Sequence, residues 1–199
     1  MSHKKIQKLV GTALLTALVI VLQLFGSGFR IGPVAISLVL IPIVVGAVIY
    51  GPGIGAFLGA VFGVVVIGMI LGGMDPASML MMQFNAPATV IVCLVKGILA
   101  GLVAGLVYKA LRKKNAKLGT VLAGILAPIM NTGFYVFMVT FVFTDLMEKS
   151  YKLQGTGAVF AAIMAMIATN FIAELITTAV ISPIILFALK KANGARLNK

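Results

Sequence analysis

Residues 87–109 read PATVIVCLVKGILAGLVAGLVYK, an apolar run with Lys96 near its middle and Lys109 at its end. A helix of this length crosses a hydrocarbon core of about 30 Å. A charge at the centre of a bilayer costs about 2.5–3.5 kcal/mol on insertion scales. The stretch therefore predicts a transmembrane helix whose central lysine faces a polar partner inside the protein.

The rest of the chain repeats this pattern. Of its 199 residues 61% are hydrophobic and 10% are charged, and the mean hydropathy is +1.18. Soluble domains carry about 25% charged residues. The sequence predicts an all-α membrane protein, a six-helix bundle that forms one integral membrane domain over residues 1–199. The predicted spans are about 7–26, 33–50, 54–72, 87–109, 119–143 and 157–189. The first run is too long for a signal-peptide core and is kept as a span.

The basic residues predict the orientation of the bundle. Twelve of the sixteen Lys and Arg residues lie in the N-terminal tail, the connection Lys109–Lys117 and the C-terminal tail. Basic residues favour the cytoplasmic side, so both termini and this connection are predicted to be cytoplasmic. The segments 27–32, 73–83 and 144–156 then face outward. The net charge of +12 follows this membrane pattern, and no nucleic-acid partner is expected.

Small residues recur at four-residue spacing on three spans. Gly55, Gly59 and Gly63 lie on the third span, and Gly97, Gly101 and Gly105 lie on the fourth. Such faces let helix backbones approach closely, which predicts internal packing for both glycine stripes. Ala13 and Ala17 form a similar face on the first span. This face is interpreted either as packing or as a docking surface for another membrane protein.

Polar residues inside the spans predict a binding site. Asn170 and Glu174 lie one helical turn apart on the sixth span, and Asn131 and Tyr135 lie on the fifth. With Lys96, and with Asn85 at the outer end of the fourth span, they offer a cation, an anion, amides and aromatic surface. This set suits a small polar organic ligand better than a bare ion. The alternative is that Lys96 and Glu174 neutralise each other and the amides bridge helices.

Two further features have open interpretations, and several function classes are excluded. The run Met79–Met82 is interpreted as an interfacial re-entrant segment or a flexible lid, and Arg30 as a headgroup anchor or a contact for an anionic ligand. Cys93 is the single cysteine and His3 the single histidine, so no disulfide, metal site or cofactor is expected. The chain has no nucleophile elbow, zinc motif or phosphate-binding loop, so it is not expected to be an enzyme or to hydrolyse ATP.

The chain resembles the substrate-binding S-component of energy-coupling factor (ECF) vitamin transporters. The resemblance covers nearly the whole length and is carried by the alanine face, the segments 34–63 and 170–183, and Pro128-Ile129-Met130-Asn131-Thr132-Gly133-Phe134. It implies a multi-pass protein of a prokaryotic plasma membrane that binds a vitamin. It also implies docking through Ala13 and Ala17 on a transmembrane T-component that carries two ATPase subunits.

The likeness is greatest to pantothenate-specific members. It implies that Lys96 pairs with the carboxylate of pantothenate and that Asn131 bonds its amide or hydroxyls. Glu174 is awkward for an anionic ligand, so it would accept from a hydroxyl or be neutralised by Lys96. The alternatives are an S-component for another vitamin, such as riboflavin, folate or a pyridoxine-like vitamin, and a small self-sufficient membrane carrier.

Overall fold

A computed structural model describes residues 3–26, 30–31, 34–35 and 38–197. The described chain is a helical bundle with one short antiparallel strand pair, in which Arg30 pairs with Ala35 and Ile31 with Val34. Its elements are α1 (His3–Gly26), β1 (Arg30–Ile31), β2 (Val34–Ala35), α2 (Leu40–Tyr50), α3 (Pro52–Leu71), α4 (Pro76–Phe84), α5 (Ala86–Leu111), α6 (Ala116–Val142), α7 (Thr144–Tyr151) and α8 (Thr156–Leu197). The all-α prediction is confirmed, and five of these helices (α1, α3, α5, α6 and α8) are long and apolar enough to cross a membrane.

The second predicted span, 33–50, is wrong in its extent. Its helix, α2, begins at Leu40 and has 11 residues, which at about 1.5 Å per residue covers roughly half of a hydrocarbon core. Residues Leu40 to Val48 are all buried. The segment is apolar because neighbouring helices surround it, and an apolar run buried in protein has the same composition as one that faces lipid.

Two of the predicted outer segments contain helices. Asp75 caps α4 by accepting a hydrogen bond from the Ser78 backbone N–H at 3.1 Å, and Pro76 stands in the first turn. The Met79–Met82 run lies within α4, where Met81 is 3% exposed and packs in a core cluster with Val139 and Phe143. Met81 is thus packed in the interior, whereas Leu80 is 52% exposed, and the roles of the run as a re-entrant segment or a lid stay predictions.

The glycine stripes of α3 and α5 face each other, which confirms the prediction of internal packing. We call this contact the glycine interface: Gly55, Gly59 and Gly63 on α3 against Gly97, Gly101 and the Cys93 carbonyl on α5. A Cβ on Gly59 would run into the Gly97 carbonyl and lie 2.8 Å from the Ile98 nitrogen. The two backbones are thus in direct contact, and no larger residue fits between them.

The turn between α2 and α3 defines one end of the bundle. Gly51 has a φ of +101°, which favours glycine, and Pro52 opens α3. Gly105 of α5 packs on Pro52, and α5 then leads into the basic connection Lys109–Lys117. We call this the basic end. The cytoplasmic orientation of the basic end stays a prediction, and so does the side of the membrane on which the termini lie.

Candidate functional site

A polar cavity of about 290 Å³ lies inside the bundle, away from the basic end. It brings together side chains from α1, α3, α4, α5, α6 and α8. Its lining consists of Gln23, Phe62, Val66, Asp75, Ser78, Lys96, Asn131, Thr132, Tyr135, Ile167, Asn170 and Glu174. Five of the six residues that the sequence predicted as ligand contacts are in this set, and that they contact a ligand stays a prediction.

Lys96 projects from α5 between two aromatic rings. Its Nζ lies 5.3 Å from the centroid of the Phe62 ring and 5.6 Å from that of Tyr135. Both distances are within the range of a cation–π interaction, which is stronger where water is excluded. The two rings thus stabilise the ammonium group at the cavity wall. Lys96 is the single cation among the described lining residues.

Helices α6 and α8 supply the amides and a carboxylate. Asn131 is 8% exposed and Glu174 is 4% exposed. The Oδ1 atoms of Asn131 and Asn170 are buried and have no hydrogen-bond partner among the described residues. A buried acceptor without a donor costs about 1–3 kcal/mol. The cavity therefore presents hydrogen-bonding groups that a polar ligand or water would satisfy.

Asp75 and Ser78 are part of the lining, although the sequence placed Asp75 in an outer loop. Its carboxylate accepts hydrogen bonds from the Ser78 backbone N–H at 3.1 Å and from the Ser78 hydroxyl at 2.5 Å. The signal was the run Asp75-Pro76-Ala77-Ser78, an aspartate cap followed by proline at the first helical position. It predicts a helix, but not that this helix reaches the cavity.

Gln23 and Phe62 were also missed, for a different reason. Gln23 Nε2 lies 3.5 Å from the Met69 sulfur, which ties the end of α1 to α3 beside the cavity. Phe62 lies between glycines of the glycine interface and resembles an ordinary core residue in the sequence. Nothing in the sequence indicated which interior side chains would meet Lys96, since that depends on how the helices rotate against each other.

The structure does not bring Asn85 to the cavity. Its side chain caps α5 by accepting a hydrogen bond from the Ala88 backbone N–H at 3.1 Å. Its carbonyl accepts a second bond from the Thr89 hydroxyl at 2.9 Å. Asn85 is absent from the described lining because its amide is used at the helix start, and that it contacts a ligand stays a prediction. The side chain of Arg30 lies outside the described residues.

Ala13 and Ala17 are exposed on α1, and we call them the alanine face. Their neighbours Leu14 and Leu18 are 67% and 45% exposed, whereas Val19 is fully buried. The alanine face is thus not used for packing within the described chain. Its role as a docking surface stays a prediction. No group of three His, Cys, Asp or Glu residues that could hold a metal occurs in the described ranges.

Comparison with known proteins gives a family and a fold. The model of the family described as "ECF transporter, substrate-specific component" matches residues 7–186. The fold is similar to the solved structure of ThiT from Listeria monocytogenes, with a TM-score of 0.67 and 18% sequence identity over 95% of this chain and 98% of that chain. At this identity the likeness shows the fold alone. No curated protein matches the sequence significantly.

Proposed function

The chain belongs to the family of substrate-specific components of ECF transporters, and on that premise we propose that its polar cavity binds a small water-soluble vitamin for import. Members of this family are integral membrane transport subunits and not enzymes. The observation that carries the proposal is the cavity itself. A lysine, a buried glutamate and two amides with unsatisfied oxygens line a partly open cavity inside an apolar bundle. Groups so costly to bury indicate a ligand-binding function.

The size of the cavity favours a small vitamin. Its volume of about 290 Å³ is just below the range of about 300–1,000 Å³ that is usual for pockets of organic ligands. Riboflavin and folate carry extended fused rings and are larger than pantothenate. Pantothenate is compact and flexible and fits the smaller volume.

The chemistry of the lining supports pantothenate as the ligand. Its carboxylate would pair with the Lys96 ammonium, which the aromatic rings already hold at the wall. Its hydroxyls and amide N–H would donate to the Oδ1 atoms of Asn131 and Asn170, which have no donor among the described residues. Glu174 would accept from a hydroxyl. Tyr135 would pack against the apolar part of the ligand.

Replacing Lys96 tests this assignment. A hydrogen bond to a charged group is worth about 1.5–3 kcal/mol, so Lys96→Met should weaken pantothenate binding about 10- to 100-fold. Lys109→Met removes a lysine from the same helix outside this cavity and should leave the affinity unchanged. Isothermal titration of the purified variants measures both. Unchanged affinity in a stable Lys96→Met protein would remove Lys96 from the site.

If Lys96 and Glu174 instead neutralise each other, the Lys96→Met variant should behave differently. In that case Lys96→Met leaves a buried carboxylate without its counter-charge and lowers the thermal stability of the ligand-free protein. The double variant Lys96→Met with Glu174→Gln then restores stability. If instead the ligand is the partner of Lys96, the ligand-free stability of the single variant changes little and the affinity falls.

A cationic vitamin such as thiamine is the second candidate. The lining carries two carboxylates, Asp75 and Glu174, against one ammonium, and two rings that already accommodate a cation. The fold similarity to ThiT is compatible with thiamine as the ligand, but at 18% identity it is not evidence for that ligand. Lys96→Met distinguishes the two ligands because its effects have opposite signs. It would weaken pantothenate binding but would leave thiamine binding equal or tighter, since a like charge is removed.

Transport by this subunit would need partners. We propose that a transmembrane T-component with two ATPase subunits docks on the alanine face and supplies the energy. Purification from native membranes should recover these three additional subunits with the chain. Uptake by the chain alone, in cells that lack them, would favour the self-sufficient carrier and would contradict this part of the proposal.

A further inference from the structure

A second cavity lies at the basic end, remote from the polar cavity. It has a volume of about 280 Å³ and is formed by the end of α2, the turn into α3 and the end of α5. Its lining consists of Ala47, Val48, Ile49, Tyr50, Gly51, Pro52, Gly105, Tyr108, Lys109 and Arg112. We call it the basic-end cavity. None of its residues lines the polar cavity, and the proposed vitamin binding does not use it.

Positive charge in the basic-end cavity has no counter-charge nearby. Lys109, in the last turn of α5, and Arg112, the residue that follows the helix with helical backbone angles, lie three residues apart and so share one face. All four acidic residues of the chain are described, and none lines this cavity. Asp75 and Glu174 line the polar cavity, and the other two lie in α7. The two cations therefore face a cavity that holds no anion of this chain.

The backbone around this cavity is closely packed. Gly105 packs directly on Pro52, and Gly51 turns the chain with a φ of +101°. The Tyr50 ring packs on Gly11 of α1, which holds this wall in place.

The surroundings of the cavity combine apolar and polar surface. Ile49 lines it and is 44% exposed, and Leu106 of α5 nearby is 48% exposed. Tyr50 and Tyr108 provide rings with a polar tip, which are typical of the membrane interface. A ligand for this site thus needs an anionic group for the two cations and an apolar chain for the adjoining surface. A free phosphate ion supplies the first group but not the second.

We propose that the basic-end cavity binds the phosphate headgroup of an anionic phospholipid. Lys109 and Arg112 pair with the phosphate, and the acyl chains lie along the apolar surface beside Ile49. Basic pockets between helices at the membrane interface are suited to such headgroups. Bound lipid would fix the α2–α3 turn against α5 and so stabilise this end of the bundle.

The test compares lipid binding of four forms of the purified protein. Native mass spectrometry measures the binding of phosphatidylglycerol and of phosphatidylcholine with the same acyl chains. Wild type should retain phosphatidylglycerol preferentially. Lys109→Gln with Arg112→Gln should lower that affinity at least about 10-fold, because a direct hydrogen bond to a charged group contributes about 1.5–3 kcal/mol. Lys113→Gln with Lys114→Gln removes the same charge next to the cavity and should change the affinity less than threefold.

The charge-conserving form, Lys109→Arg with Arg112→Lys, should bind phosphatidylglycerol nearly as well as wild type. Three results would overturn the proposal: equal losses in the two Gln double variants, equal binding of phosphatidylcholine by wild type, or displacement of the lipid by millimolar inorganic phosphate. Vitamin affinity is measured on the same proteins. Because the cavities share no residue, failure of lipid binding leaves the vitamin proposal intact, and the reverse also holds.

Discussion

The glycine interface and the alanine face have the same sequence pattern and opposite surroundings. Both place small residues every four positions on an apolar helix. At the glycine interface the backbones of α3 and α5 touch, so that a Cβ on Gly59 has no room. Ala13 and Ala17 are exposed and have large apolar neighbours. Small-residue spacing thus predicts close helix contact without telling whether the partner belongs to the same chain.

The largest loss of stability is expected from a substitution at the glycine interface, where the close contact is within the chain. Gly59→Ala places a Cβ against the Gly97 carbonyl, which cannot move without shifting α5. Overpacking of a rigid contact costs typically about 1–3 kcal/mol, and here backbone faces backbone, so we expect at least the upper part of that range. Thermal unfolding in detergent should show a markedly lower Tm or failure to fold.

Gly68→Ala is the matched control for this substitution. Gly68 lies on the same helix, and no atom lies within 4 Å of its added Cβ. Its replacement should leave Tm unchanged or slightly higher, because alanine favours helix by up to about 1 kcal/mol over glycine. Equal destabilisation by both substitutions would show that the close contact at the glycine interface is not the cause of the loss.

Substitutions on the alanine face should lower uptake without lowering the stability of the protein. Ala13→Trp or Ala17→Trp adds bulk at an exposed position, so Tm and vitamin affinity of the isolated subunit should stay near wild type. If a partner docks there closely, uptake by cells should fall to background. Leu14→Trp, at a neighbouring exposed position, is the control and should retain uptake. Lost affinity in the isolated Ala13→Trp protein would assign the alanine face to internal packing.

A third small-residue contact lies between these extremes. On α6, a Cβ on Gly124 would lie 2.8 Å from the Thr178 carbonyl oxygen and 3.1 Å from the Ala179 Cα of α8. These distances are tight, but a small helix shift relieves them. Gly124→Ala should therefore cost about 1 kcal/mol, less than Gly59→Ala. A Tm as low as that of Gly59→Ala would show that α6 and α8 are held as rigidly as α3 and α5.

Helices α3 and α5 were predictable because membrane thickness fixes the length of a helix that spans the bilayer once with little excess. The predicted spans 54–72 and 87–109 differ from α3 and α5 by two residues or fewer at each end. The length of the helix in segment 33–50 was not predictable, because the short helix α2 is apolar through burial in protein. Its composition therefore gave the wrong length, and hydropathy alone does not distinguish the two environments.

The candidate site was predictable only in its polar members. Lys96 and Glu174 stand out because charges are rare inside apolar spans. Asp75 and Gln23 lie near helix ends, where polar residues are common, and only the packing of α1 and α4 brings them to the cavity. Asn85, which the sequence also suggested as a ligand contact, lies at a helix start and outside the described lining. A polar residue at a helix start satisfies the backbone more often than it meets a ligand.

The smallest effect should come from a substitution that keeps the alanine face small. Ala17→Ser adds one oxygen, and serine is among the small residues that membrane helix interfaces accept. Its hydroxyl would bond back to a carbonyl of the preceding turn, as Thr16 does to the Thr12 carbonyl at 2.9 Å. Uptake should therefore change less than twofold, and Tm should not change measurably. If Ala17→Ser abolished uptake as fully as Ala17→Trp, the size of the side chain would not be what the face requires. The contact would then exclude polar groups, and the comparison with the glycine interface, where bulk alone decides, would no longer hold.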